Sequence, residues 1–283
     1  MKKTIIAASI AAVVAAPAAF ADVSISGSVQ VEYIEDEMET RNDLVIKASE
    51  DLGNGMKASA KMHNVYDDGT QGGADFSVTL SGDFGSISAG RMEGFQEGIF
   101  NAITGIDGSH DVDLEGNFDG KSAAGATEGF TRDEMIKYVS PSISGLKVGV
   151  SAQDDGTDKF ADTEVMVQYS NAGLTVAANV ASESDIDYTT IIAKYKMGDL
   201  EVRAASRTEE AAAGDLDSTF VGAKYKMGAN TISVGAVSTD NANGDATIVG
   251  LAHALSKNTS VYVAHKDNDD AANQTAIGMK VKF

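Results

Sequence analysis

The 283-residue sequence contains no cysteine and no tryptophan, only two prolines, and 22 Lys and Arg against 42 Asp and Glu. Without cysteine it has neither a disulfide framework nor a thiolate metal site. A formal charge of −20 leaves no basic face for phosphate, which excludes nucleic acid as a partner. Beyond the N-terminal segment no apolar run reaches the roughly eighteen residues that a membrane-spanning helix needs. Disorder is excluded too, because 43% of the residues are hydrophobic and they recur in a strict pattern.

The N-terminus has a pattern of its own. Lys2 and Lys3 precede an apolar stretch from Ile5 to Val14, and Ala19, Phe20 and Ala21 form a small-x-small site, as in a secretory signal peptide. The expected organisation is a signal peptide over residues 1–21 and one domain over residues 22–283.

From Asp22 onward the period is two. Val23, Ile25, Val29, Val31 and Tyr33 alternate with Ser24, Ser26, Ser28, Gln30 and Glu32, which describes a strand with one apolar and one polar face. The pattern recurs in hairpins that reverse at Gly53 to Gly55, Asp83 to Gly85, Pro141 to Gly145, Asn171 to Gly173, Gly198 to Asp199 and Gly228 to Asn230. Sixteen such segments can be counted. The motif KYKMG occurs at Lys194 to Gly198 and again at Lys224 to Gly228, a spacing of one hairpin rather than one solenoid rung. Short turns alternate with longer acidic stretches such as Asp154 to Asp162, Glu209 to Asp217 and Asp267 to Asn273, as in barrels of the outer membrane.

The charges decide which face meets lipid. Lys47, Lys61, Lys194, Arg203 and Lys224 stand at strand positions on the polar parity, and a basic residue facing lipid at the midplane costs about 2 to 4 kcal/mol. That parity must line a wet interior. Tyr138, Tyr169, Tyr195 and Tyr225 fall on the apolar parity near the short turns, where an interfacial aromatic belt belongs. Between Glu93 and Thr131 the alternation stops, and the segment carries Glu93, Glu97, Asp107, Asp111, Asp113, Glu115 and Asp119. A connection this long within a compact architecture is usually functional. The expectation is an all-β fold: a sixteen-stranded antiparallel transmembrane β-barrel with a long third loop folded into the lumen.

Five stretches, in order, resemble the general diffusion porins of Gram-negative outer membranes: DVSISGSVQVEY after the signal, Gly90 and Arg91 before the long loop, KYVSPSISGLKVGVSAQ, LSKNTSVYVAH, and the terminal Phe283. The similarity spans the whole mature chain. It implies a homotrimer in the outer membrane, surrounded by lipid and lipopolysaccharide and inserted by the barrel-assembly machinery, with Phe283 as the assembly signal. It also implies a water-filled passage for small hydrophilic solutes and ions that needs no cofactor. In this family acidic residues of the loop face basic residues of the wall across the narrowest point. Here the acidic side is expected from Glu93, Glu97 and Asp107, with Asp111 and Asp113, and the wall from Arg91, Lys47, Lys61 and Arg203. Arg132 shares parity with Ile136 and Tyr138, so it faces inward only if a bulge intervenes. Acidic rings favour cations, and the inward bases oppose them, so weak cation selectivity that fades with salt is expected.

Rival functions ask for other residues. A substrate-specific channel calls for a row of aromatics and paired charges along the lumen, and an adhesin or structural barrel for a plugged one. An enzyme on a barrel needs Ser and His, or Asp and His, gathered at one rim. His63, His110, His253 and His265 are scattered and lack zinc-ligand spacing, so neither catalysis nor a metal site is expected.

Overall fold

The structure, a computed structural model, describes residues 22–96, 109, 112–119, 131–153, 160, 162–183, 186–212 and 214–283. The signal-like segment and Glu97, Asp107 and Asp111 lie outside that set.

The strands are β1 (Asp22–Ile34), β2 (Glu37–Gly53), β3 (Met56–Asp67), β4 (Thr70–Gly82), β5 (Gly85–Glu93), β6 (Thr131–Val139), β7 (Leu146–Gln153) and β8 (Asp162–Asn171). They continue with β9 (Leu174–Glu183), β10 (Ile186–Met197), β11 (Leu200–Ala211), β12 (Gly214–Met227), β13 (Asn230–Thr239), β14 (Ala246–Ala254), β15 (Thr259–Asn268) and β16 (Gln274–Lys282). Each pairs antiparallel with its sequence neighbours, and β16 closes onto β1 through the register Val29 opposite Val281. Closure leaves no unpaired edge, the condition for a sheet to cross a bilayer. Among the described residues a short helix, α1 (Glu115–Asp119), lies within the long connection between β5 and β6.

The wall is inverted relative to a soluble barrel. Val23, Ile25, Ile191, Val221 and Ile277 project from the outer face with half or more of their surface exposed, whereas Ser28, Gln30, Glu32, Asn179, Thr190 and Ser233 are buried on the inner face. Tyr169, Tyr195 and Tyr225 are exposed outside near the short turns, and Tyr33 and Tyr66 near the opposite edge, so aromatic residues flank the apolar band on both sides.

Two sequence expectations change. Short turns and long loops do not alternate strictly. Glu37 to Arg41 and Glu209 to Ala211 are strand, so β1 and β2 are joined only by Glu35 and Asp36, and β11 and β12 by residues 212–213. These hairpins extend beyond the apolar band. There the main-chain ladder continues, and water on both faces removes the alternation that marks a strand inside the bilayer. The inner face is also not polar throughout. Phe220, Val237, Ile248 and Ala264 form a buried apolar patch on the inside of β12 to β15.

Candidate pore and loop anchorage

The described parts of the connection between β5 and β6 are fixed to the inner wall at three places. At the start, Lys137 Nζ on β6 donates to the Glu93 carbonyl at 2.7 Å and lies 5.1 Å from the centroid of the Phe95 ring. The chain then begins a helical turn, whose free backbone N–H groups need acceptors. Glu164, on β8 and 1% exposed, supplies them. Its carboxylate accepts the N–H of Phe95 at 2.8 Å and that of Gln96 at 3.2 Å, together with the Ser151 hydroxyl at 2.8 Å. A side chain at Gly94 would lie 2.7 Å from the Glu164 oxygens, and one at Gly149 would enter the Phe95 ring. Both glycines make room for the clasp.

In the middle of the connection the Ser109 hydroxyl donates to Glu32 Oε2 at 2.6 Å and accepts the N–H of Val112. Glu32 is 2% exposed on the inner face of β1. Its carboxylate also accepts from the Tyr262 hydroxyl at 3.1 Å and from Gln30 Nε2 at 3.0 Å. Just beyond, Val112, Leu114 and Phe118 are fully buried against the apolar patch, with the Phe118 and Phe220 rings edge to face at 6.4 Å. Gly235 leaves space for Leu114. Asn117 donates to the carbonyls of Asn243 and Gly244, and Asn241 donates back to the Asn117 carbonyl. The anchor points on β8, β1 and β12 to β13 lie on separate sides of the barrel.

The expected site residues fall as follows. Lys47 and Lys61 are direct cross-strand partners on the inner parity. Arg203 faces inward and is ion-paired with Glu201, Nε donating at 2.7 Å. A bulge does interrupt β5 and β6 between Gly90 and Met92, where Gly90 has φ 135° and Glu134 φ 51°. Gly90 adopts a conformation that a side chain disfavours. Beyond the bulge Arg132 is in register with Met92. Arg91 stands at the bulge itself, half-buried and in register with Phe76 of β4, whose ring is exposed on the outer face. Glu93 and Asp113 are half-buried.

The structure adds inward groups that the sequence reading passed over. Arg41 pairs with Asp67 at 3.3 Å, and Arg207, 3% exposed, lies 4.8 Å from the Tyr188 ring and 3.7 Å from Glu209. Lys280 and Lys282 stand opposite Gln30 and Ser28 on the inner face of β16. His63 lies between Asp43 and Asp75, at 3.5 and 3.8 Å. A parity count in MKVKF would have found the two lysines. Pairing across three strands, as for His63, is not visible in a linear sequence.

The comparisons with known proteins agree with this geometry. A family model described as Gram-negative porin matches residues 7–273. The chain belongs to the Gram-negative porin family. No curated protein matches the sequence closely. Among solved structures, the anion-selective porin from Comamonas acidovorans superposes with a TM-score of 0.74 at 19% identity, covering 93% of this chain and 100% of the other. OmpF of Salmonella typhi, in complex with daunomycin, gives 0.73 at 14% identity over 92% and 97% of the two chains. A triple mutant of Rhodopseudomonas blastica porin gives 0.72 at 18% identity over 93% and 100%. This porin is an outer-membrane diffusion channel.

Proposed function

We propose that this porin is a general diffusion channel: a water-filled pore through which small hydrophilic solutes and ions pass down their gradients. The observation that carries this reading is the wall itself. Apolar residues face outward, and polar and charged residues face inward around a loop fastened to the inner wall. The loop narrows the passage, with Glu93, Glu97, Asp107, Asp111 and Asp113 opposite wall bases that include Lys47, Lys61, Arg132 and Arg203, whereas Arg91, in register with the outward Phe76, does not join them. The inner wall carries more bases than the sequence reading assigned, so the cation preference set by the net charge of −20 is weak. The channel works as a homotrimer among outer-membrane lipid and lipopolysaccharide. It is assembled by the barrel-insertion machinery after cleavage behind Ala21.

Liposome swelling with neutral sugars of graded size tests the solute class. Uptake that falls smoothly with molecular size supports general diffusion. Uptake of one sugar out of line with its size would favour a substrate-specific channel.

A further inference from the structure

The charges on the inner wall are segregated along the barrel axis. Near the short turns the inward charges are predominantly basic. Lys194 is paired in register with Arg203, and Lys224 with Glu201. Lys226 lies opposite Thr231, and Lys282 stands at the same end beside Ser28. Glu201 there is already held by the Arg203 guanidinium. The opposite end is acidic on every side. The hairpins at that end carry carboxylates on their strand ends or in their connections, from Glu39 and Asp67 on the first hairpins through Asp162 and Glu209 to Asp245 between β13 and β14. Among the described residues, the bases Arg41 and Arg207 at that end are each paired with a carboxylate, and the inward Lys266 of β15 lies within electrostatic reach of Asp113. The carboxylates Asp22, Asp51, Asp83 and Asp199 at the short-turn end are outweighed by the further bases Lys57, Lys147, Lys196 and Lys257 there, so that mouth stays basic.

We infer that the pore is electrostatically bipolar, cation-enriched at its long-loop mouth and anion-enriched at its short-turn mouth, and that it therefore rectifies ionic current at low salt. This rests on the channel function proposed above. A charged, low-dielectric passage concentrates counter-ions, so each mouth admits one sign of ion preferentially. When the long-loop side is positive, cations enter through the acidic mouth and anions through the basic one. The two accumulate in the middle, and conductance rises. With the opposite polarity both are drawn outward, and the middle is depleted. The short turns of such barrels face the periplasm, so the high-conductance polarity is the one with the cell exterior positive. The effect is confined to low salt, because the Debye length is about 30 Å at 0.01 M and about 3 Å at 1 M.

The experiment records current against voltage in planar bilayers containing trimers inserted in one orientation. The sequence has no cysteine, so Ala242→Cys on the exposed β13–β14 connection gives a single thiol. An impermeant thiol reagent added to one side then reports the orientation. In about 0.01 M KCl the current with the long-loop side positive is expected to exceed the reverse current about two-fold, well below the ten-fold or greater enrichment that a single-signed cleft can give. In about 1 M KCl the ratio is expected to return to one. The triple substitution Lys194→Gln, Lys224→Gln, Lys226→Gln, which leaves the Arg203–Glu201 pair intact, should remove most of the low-salt asymmetry. Stepwise current at high salt with symmetric wild-type curves at low salt would overturn the inference and leave the channel standing. Asymmetry of the opposite sense, or asymmetry unchanged in the triple variant, would overturn it as well. No current in either salt would defeat the channel reading itself.

Discussion

The carboxylate of Glu164 on β8 accepts the backbone N–H of Phe95 at the start of the connection between β5 and β6, at 2.8 Å. One buried side chain thus ties a loop to a strand that it does not adjoin in the sheet. Losing an acceptor that serves several buried donors costs about 1 to 3 kcal/mol, and here the cost falls on the loop rather than the barrel. Glu164→Ala should leave the heat stability of the folded barrel unchanged and free the start of the loop. The check is single-channel recording, in which open-channel current noise should rise, together with limited proteolysis, in which cleavage between Phe95 and Ser109 should become faster.

Glu32 does the same for the middle of the loop through Ser109. Ser109 is the weaker anchor, since a typical hydrogen bond contributes about 0.5 to 1.5 kcal/mol, or somewhat more to a charged acceptor. Ser109→Ala alone should have a small effect. Combined with Glu164→Ala it should exceed the sum of the two, because both changes release the same segment. A double-mutant cycle on current noise and protease sensitivity measures the coupling.

Phe118 and Leu114 fix the segment around α1 by burial. Truncating a buried Phe costs about 3 to 5 kcal/mol in a well-packed core, and the Phe118 ring is fully buried against Phe220. Phe118→Ala should therefore unseat α1. The measurement is unit conductance, which should shift away from the wild-type value while the far-UV circular dichroism of the strands is retained.

The strands were legible because lipid outside and water inside enforce a period of two, as in Asp22 to Ile34. The alternation fails where it loses that cause. Glu37 to Arg41 lies beyond the apolar band, so its strand resembles an acidic loop. The long connection was legible as an interruption between Glu93 and Thr131, and its carboxylates drew attention to the pore. Its anchors were not. Glu164 and Glu32 look like ordinary polar-face residues until folding brings Phe95 and Ser109 to them, from 69 and 77 residues away. The apolar seat was partly visible, because STFVGAKYKM and TIVGLAHAL place Phe220 and Ile248 on the polar parity. Two-faced apolar strands of this kind mark the stretch of inner wall that is covered by protein.

Phe283 closes the barrel. Its N–H and carbonyl are both hydrogen-bonded to Gly27 at 3.0 Å. A Cβ at Gly27 would lie 2.8 Å from the edge of the Phe283 ring, so the ring lies over the glycine on the outer face. Deleting Phe283 should lower the amount of protein in the outer membrane and leave periplasmic aggregates. Gly27→Val should also lower those levels, because its Cβ would meet the Asp43 carbonyl of β2 as well as the Phe283 ring. Quantifying folded, heat-modifiable protein in membrane fractions measures both losses. Wild-type levels of the truncated chain would contradict an assembly role.

In the proposed channel, selectivity follows from the balance between the acidic loop and the basic wall. The zero-current potential across a KCl gradient should show weak cation preference in the wild type, fading as salt shortens the screening length below about 8 to 10 Å. Changing Glu93, Glu97 and Asp107 to their amides should move the potential toward anions. No shift would mean that these carboxylates do not line the narrowest point.

Single-channel recording of the refolded protein in planar bilayers asks whether this chain forms an open, water-filled pore around an anchored loop. In about 1 M KCl, where the Debye length is about 3 Å, stepwise insertions with a large unit current that is linear in voltage are expected. A folded, membrane-inserted barrel that carries no current under those conditions would contradict the open pore.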